Sequence, residues 1–166
     1  MSRVSIQPED FDLSREVAAL RALDLGVGAV ATFVGTMRDR NDGAPASAME
    51  LEHYPGMTER AIEAMIDAAV QRFELRAVRV VHRIGHLLPG AQIVLVAVTS
   101  AHRGQAFRGC EFLMDYLKTQ APFWKKETTP EGARWVDARV ADDQALQRWG
   151  IQGSNVPDAP DAPSDP

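Results

Sequence analysis

Apolar positions along the chain change their period several times, and each change marks an element. Arg3 to Gln7 reads as a short strand, and Ser14 to Leu25 as a helix with Gly26 as its C-terminal stop. Gly28 to Met37 is a strand that ends in a polar loop, where Asn41-Asp42-Gly43 signals a turn. Met49 to His53 alternates with period two, as a half-buried strand does. After Pro55-Gly56 the period lengthens: Ile62, Met65, Ile66, Ala69 and Phe73 form one stripe of a helix over 58–73. Val78, Val80 and Ile84 mark the next strand, and Leu88-Pro89-Gly90 turns the chain into Ile93 to Thr99. That strand is apolar throughout, the pattern of one buried on both faces. A second long helix spans 105–119 and is stopped by Pro122. Phe123–Glu127 and Arg134–Val136 then make a hairpin around Thr129-Pro130-Glu131-Gly132, and a last helix covers about 142–149. The order predicts an α+β fold with two long helices on a largely antiparallel sheet.

Composition changes this picture at one end only. Residues 1 to about 150 run without an internal repeat and are expected to form one domain. From Ile151 onward Pro157, Pro160, Pro163 and Pro166 are interleaved with Asp158, Asp161 and Asp165. Residues 151–166 hold too few apolar side chains to offset ordering entropy, so a disordered Pro/Asp-rich tail is expected. The longest aliphatic run, Ile93 to Val98, is far short of the ~18 residues of a membrane span. One cysteine, Cys110, and no apolar leader fit a cytoplasmic protein without a disulfide framework.

Charge narrows the chemistry. A net charge of −5 argues against nucleic acid as the main partner. Between His102 and Lys126, however, five cations (Arg103, Arg108, Lys118, Lys125, Lys126) outnumber two acids (Glu111, Asp115). That segment is locally +3, so the remainder carries −8. A cationic island in an acidic chain suggests a local anion site. Ser100-Ala101-His102-Arg103 leads from a buried strand into a helix, where free N–H groups and the helix dipole favour a phosphate. Arg103 would add a bidentate fork and His102 a donor titrating near neutrality. The same two residues would serve equally as a solvated helix start. Lys125 and Lys126 are successive strand residues pointing to opposite faces, so only one can join Lys118 in a pocket. Phe123 and Trp124 could desolvate such a pocket and make a lysine useful as acid, base or nucleophile. The plainer alternative is charge balance at a helix end and surface solvation.

Other chemistries find little support. His82 and His86 lie four apart, but Gly85 and the strand period argue against a helical metal pair, and no metal or other cofactor is expected. His82 shares a face with Val78, Val80 and Ile84 and is expected to be semi-buried and hydrogen-bonded. Cys110 lies on the stripe Ala106, Cys110, Leu113, Met114, Leu117 and is expected in the core. No phosphate-cradling glycine loop, nucleophile elbow or dinucleotide fingerprint is present.

Several segments together resemble the large, catalytic subunit of molybdopterin synthase. They are Gly28-Ala29-Val30 through Phe33-Val34-Gly35 and Arg38, Leu51-Glu52-His53-Tyr54, His82-Arg83-Ile84-Gly85, Ser100-Ala101-His102-Arg103, and Lys118 through Glu127. The resemblance implies an α/β hammerhead-type fold with an additional small antiparallel subdomain. It implies sulfur transfer from a thiocarboxylated ubiquitin-like small subunit to cyclic pyranopterin monophosphate, giving the molybdopterin dithiolene. It also implies a homodimer within a heterotetramer. Carried to matching positions, Lys118 and Lys125 would serve the chemistry. Thr36, Met37, Arg38, His102, Arg103, Lys126 and Glu127 would join those lysines in binding substrate. Two other readings remain: a non-catalytic module binding a ubiquitin-like protein, and a phosphate-ester hydrolase using His102.

Overall fold

The computed structural model describes residues 1–41, 44–136 and 140–151. Along the chain run β1 (Val4–Gln7), α1 (Leu13–Arg21), β2 (Ala29–Thr36), β3 (Arg40–Asn41), β4 (Ala44–Pro45) and β5 (Ala48–His53). They are followed by α2 (Met57–Phe73), β6 (Leu75–Arg83), β7 (Gly85–Leu87) and β8 (Gln92–Ser100). The last elements are α3 (Arg103–Gln120), β9 (Phe123–Thr129), β10 (Gly132–Val136) and α4 (Val140–Gln147). The turn read at Asn41-Asp42-Gly43 and the tail from 152 onward lie largely outside the described residues.

Two four-stranded sheets organise the α+β fold. The first has the order β1-β6-β8-β2, antiparallel except for the β1–β6 pair. The second, β10-β9-β5-β7, is antiparallel throughout and forms the smaller subdomain. The apolar run of β8 is explained by helices on both of its faces. Val94, Val96 and Val98 pack with Ile62, Met65, Ile66 and Phe73 of α2 and Ala106, Leu113 and Leu117 of α3. Leu95 and Ala97 point the other way, against Leu20 of α1 and Phe11 just before it. A third cluster, Met37, Ala46, Met49, Leu51 and Leu87, lies under the second sheet. Burial of a large aliphatic side chain in such clusters contributes about 1.5–3 kcal/mol.

The first helix is shorter than its pattern predicts. Asp12 caps it by accepting from the Arg15 N–H at 2.9 Å, and it ends at Arg21 rather than Leu25. Asp24 then draws the chain into a side-chain turn: its carboxylate accepts from the Gly26 N–H at 2.7 Å and pairs with Arg76 at 2.8 Å. Gly26 therefore belongs to that turn and not to a helix cap. The strand expected around Val78 runs from Leu75 to Arg83 and leaves Ile84 outside. Gly85, with φ +84°, diverts the chain there into the second sheet.

Candidate functional site

The lysine-bearing end of the molecule is built by the return of the chain after α3. Lys118 lies exposed in the last turn of that helix. Thr119 is buried, and its hydroxyl donates back to the Asp115 carbonyl at 2.9 Å. Ala121 takes the extended conformation (φ −79°, ψ 129°) that a following proline demands, which ends the helix. Strand β9 begins at once, and its register sorts the next residues by face. Lys125 stands opposite Leu51 and Glu127 opposite Met49, so both share the face of the third cluster. Lys126 stands opposite Glu50, on the other face, as the strand period predicts. The Lys125 ammonium lies 3.4 Å from a Glu127 carboxylate oxygen. The Glu127 side chain is only 4% exposed and that of Lys125 34%, so the pair is screened from water on one side.

Arg38 reaches the same end of the fold. Met37 is fixed by two main-chain bonds, its N–H to the Ala91 carbonyl (2.9 Å) and its carbonyl to the Gly90 N–H (2.8 Å). Its side chain is buried with Met49 and Leu51, whereas Thr36 and Arg38 on either side are exposed. Met37 thus anchors this strand end and lies in the core, apart from the substrate-facing position expected for it, leaving Thr36 and Arg38 exposed on either side.

His102 and Arg103 lie elsewhere. They are exposed at the start of α3, just beyond the end of β8. Gly28 lets β2 begin close beside them, since a Cβ there would fall 2.1 Å from the Ala101 carbonyl oxygen. Arg103 and Lys118 stand at opposite ends of one helix, about 22 Å apart at 1.5 Å per residue. The strands agree: Ala29 pairs with Ser100 but Thr36 with Gln92, and β8 spans roughly 27 Å between those ends. Within one chain Thr36, Arg38, Lys118 and the Lys125–Glu127 pair therefore lie toward one end of the fold, and His102 and Arg103 lie toward the other. The cationic segment, continuous in sequence, is two separate groups in space.

The acids of the Lys118 stripe are engaged with the turn that follows α4. Asp115 accepts from the Trp149 indole N–H at 2.7 Å and pairs with Arg148 at 3.1 Å, while Glu111 lies 3.3 Å from Arg148. Arg72 donates to the Trp149 carbonyl at 2.7 Å and lies over its ring. Neither Lys118, His102 nor Arg103 has an ion-pair partner among the described residues.

Several residues near this site carry no obvious signal in the sequence. Thr58 is fully buried and donates its hydroxyl to the Pro122 carbonyl at 3.0 Å. The His82 ring stacks on Phe123, centroids 3.9 Å apart and planes 18° from parallel, with Nδ1 2.8 Å from the Arg83 carbonyl. Burial pushes the His82 ring down to about pKa 4, against the pull of that hydrogen bond and helped by nearby His53. His53 lies 3.3 Å from Glu59. Tyr54 meets Trp124 edge-on at 4.1 Å. Helical and strand periods mark such positions only as core or surface. Cys110 is in the core as expected, and burial raises its thiol to about 11, which removes the thiolate a sulfur carrier needs. Among the described residues no group of three or more His, Cys, Asp or Glu is placed to hold a metal. None of their helices is long and apolar enough to cross a membrane.

Comparison with known proteins agrees with the fold. The model of the MoaE protein family matches residues 6–120. The molybdopterin synthase catalytic subunit of Ralstonia nicotianae is 61% identical over 94% of this chain and 89% of its own length. The solved molybdopterin biosynthesis MoaE protein of Burkholderia ambifaria is 59% identical, covers 92% of this chain and all of its own, and superposes with a TM-score of 0.80. A Helicobacter pylori chain, solved in a complex of subunits 1 and 2 of molybdopterin-converting factor, shares the fold at 20% identity and a TM-score of 0.69, covering 83% of this chain and 92% of its own. By the family match and these identities, the chain belongs to the MoaE family, that of the molybdopterin synthase catalytic subunits.

Proposed function

We propose that this enzyme transfers sulfur from the thiocarboxylated C-terminus of a small ubiquitin-like subunit to cyclic pyranopterin monophosphate, making the molybdopterin dithiolene. The observation that carries this is the half-buried Lys125–Glu127 pair at the end of the fold that also presents Lys118 and Arg38. Two sulfurs are delivered in turn, and each delivery leaves a carboxylate on the carrier. The developing oxyanions need fixed positive charge in a partly dry setting, where it acts more strongly than in water. Lys125, held by Glu127, supplies it. Lys118, exposed in the last turn of α3 with no ion partner among the described residues, moves protons as the cyclic phosphate opens in this reading. Thr36 and Arg38 bind the pterin from the strand side. Lys126 lines the approach on the opposite face of β9. Residues 1–150 are the functional unit in this reading.

His102 and Arg103 bind the phosphate, but about 22 Å of helix separates them from Lys118 in their own chain. They therefore serve the lysines of a second copy, so the working form is a homodimer with a small subunit on each catalytic end. A symmetric pair of two half-sites makes two whole ones. The H. pylori complex supports a two-subunit assembly for this fold.

The test is reconstitution with thiocarboxylated carrier and pterin precursor, followed by complementation. Arg103→Ala and Lys118→Ala homodimers should each form little dithiolene. Exchanged in equal amounts, they should recover about one quarter of wild-type activity, because half the dimers are mixed and each holds one intact site. No recovery after verified exchange would refute the shared site. Wild-type protein that binds the carrier without making product would be a binding module. Turnover of a phosphate ester without the carrier would point to a hydrolase.

A further inference from the structure

Lys118 and Lys125 are separated by six residues, and those residues are held at four successive points. Thr119 bonds back to the Asp115 carbonyl. The Pro122 carbonyl accepts from Thr58, the Phe123 ring stacks on His82, and the Trp124 ring packs edge-on against Tyr54. Three of the four contacts come from segments that the reaction itself leaves unused: the turn from β5 into α2, and the end of β6. Both lie in or next to family-like motifs, Leu51-Glu52-His53-Tyr54 and His82-Arg83-Ile84-Gly85, that supply no group to the site described above.

Thr58 is the centre of this arrangement. Its hydroxyl accepts from the Tyr54 N–H at 3.0 Å while donating to the Pro122 carbonyl at 3.0 Å, and the residue is wholly buried. Only a hydroxyl can accept from one main chain and donate to another at a single atom. His82 adds a second tie, from the end of an inner strand of the first sheet to the first residue of β9 in the second. Its own ring is fixed by the bond at Nδ1 to the Arg83 carbonyl.

We propose that Thr58 and His82 are positioning residues for sulfur transfer: together they clamp the 119–124 connector and so set where Lys125 lies relative to Lys118. The inference rests on the proposed role of those two lysines. A clamp of this kind acts on the rate of transfer and not on capture of the pterin phosphate, which falls to His102 and Arg103 at the far end of α3. Misplacing a reacting group by about 1 Å costs on the order of 10² in rate.

Thr58→Val is nearly isosteric and removes both hydrogen bonds, and Thr58→Ser restores the hydroxyl. The measurement is single-turnover dithiolene formation in preformed complex with thiocarboxylated carrier, well below each variant's melting temperature, alongside Kd for the pterin precursor. Thr58→Val should slow transfer by about 10- to 100-fold with Kd within about twofold, and Thr58→Ser should recover most of the rate. Should Thr58→Val fail to fold, His82→Leu (stack lost) against His82→Phe (stack kept) makes the same comparison. Folded variants that transfer at the wild-type rate, or a serine or phenylalanine variant as slow as its partner, would overturn the clamp. Lys125→Ala is the control on the underlying reading. If it keeps full activity, the lysine pair is not the reacting site; if it is dead while Thr58→Val is fast, only the clamp is wrong.

Discussion

Stability between pH 4 and 7 should be governed in large part by one histidine. Burial beneath Phe123 lowers the His82 ring to about pKa 4 in the fold, against about 6.5 for a histidine in an unfolded chain. The groups around it are His53, which lowers it further, the Arg83 carbonyl, which opposes the shift, and Glu59 behind His53. Because the folded value is depressed, the unfolded chain takes up a proton that the folded chain refuses in the window between the two. Stability is therefore fully present above about 6.5, falls as pH drops towards 4, and stops responding to this group below that. A shift of this size corresponds to about 3 kcal/mol. Asp10 and Asp24, lowered mainly by hydrogen bonds from Gln92 and the Gly26 N–H, lose their contributions only in the carboxylate range below that window. Urea unfolding followed by tryptophan fluorescence at pH 4.5 to 7.5 would measure the slope. His82→Phe keeps a stacked ring without a titrating group, so the difference between wild type and variant isolates His82. Parallel curves for the two proteins would show that His82 titrates alike in the folded and unfolded chain, and the burial argument would fail.

Two further substitutions probe the two ends of α3 separately, and a third serves as a control. Lys118→Arg keeps the charge but cannot release a proton near neutral pH, so single-turnover product formation should fall by about 10²–10⁴ with pterin binding retained; full activity would make Lys118 an electrostatic anchor. Gly28→Ala places a methyl 2.1 Å from the Ala101 oxygen and must move the turn that carries His102. A loss of about 1–3 kcal/mol in urea unfolding should come with weaker pterin binding, whereas Gly109→Ala, crowded by Leu75 at 2.8 Å, should destabilise without touching affinity.

What the sequence made legible follows from how each signal arises. The β8 run, the α2 stripe and the Pro122 stop all report burial or backbone restriction of single segments, and the elements appear where those signals place them. The end of α1 is not legible in the sequence because Gly26 is a good helix terminator, whereas the competing turn depends on Asp24 meeting Arg76, fifty-two residues away. The Lys125–Lys126 alternation needed only a strand period. The Lys125–Glu127 pair, by contrast, depends on which face of β9 meets Met49 and Leu51, and that is a matter of sheet register. Thr58 and His82 were illegible as site residues for the same reason. Their partners, Pro122 and Phe123, are brought to them by the return of α3.

The largest gap between sequence and structure concerns the cationic segment itself. Five cations within 25 residues read as one anion site only if the chain folds back between them, and it does not. A continuous α3 holds its two ends apart, with Gly109 packed tightly on Leu75 and Cys110 in the core midway. The helix cannot bend to join them without losing the burial of Phe112, Leu113 and Leu117 that fixes it to the first sheet. Positive charge at both ends of a rigid spacer suits an enzyme whose anion-binding and reacting groups belong to different copies. Under the proposed function each copy is then inactive alone, and product formation should fall with dilution below the dimer dissociation constant, even with the carrier saturating.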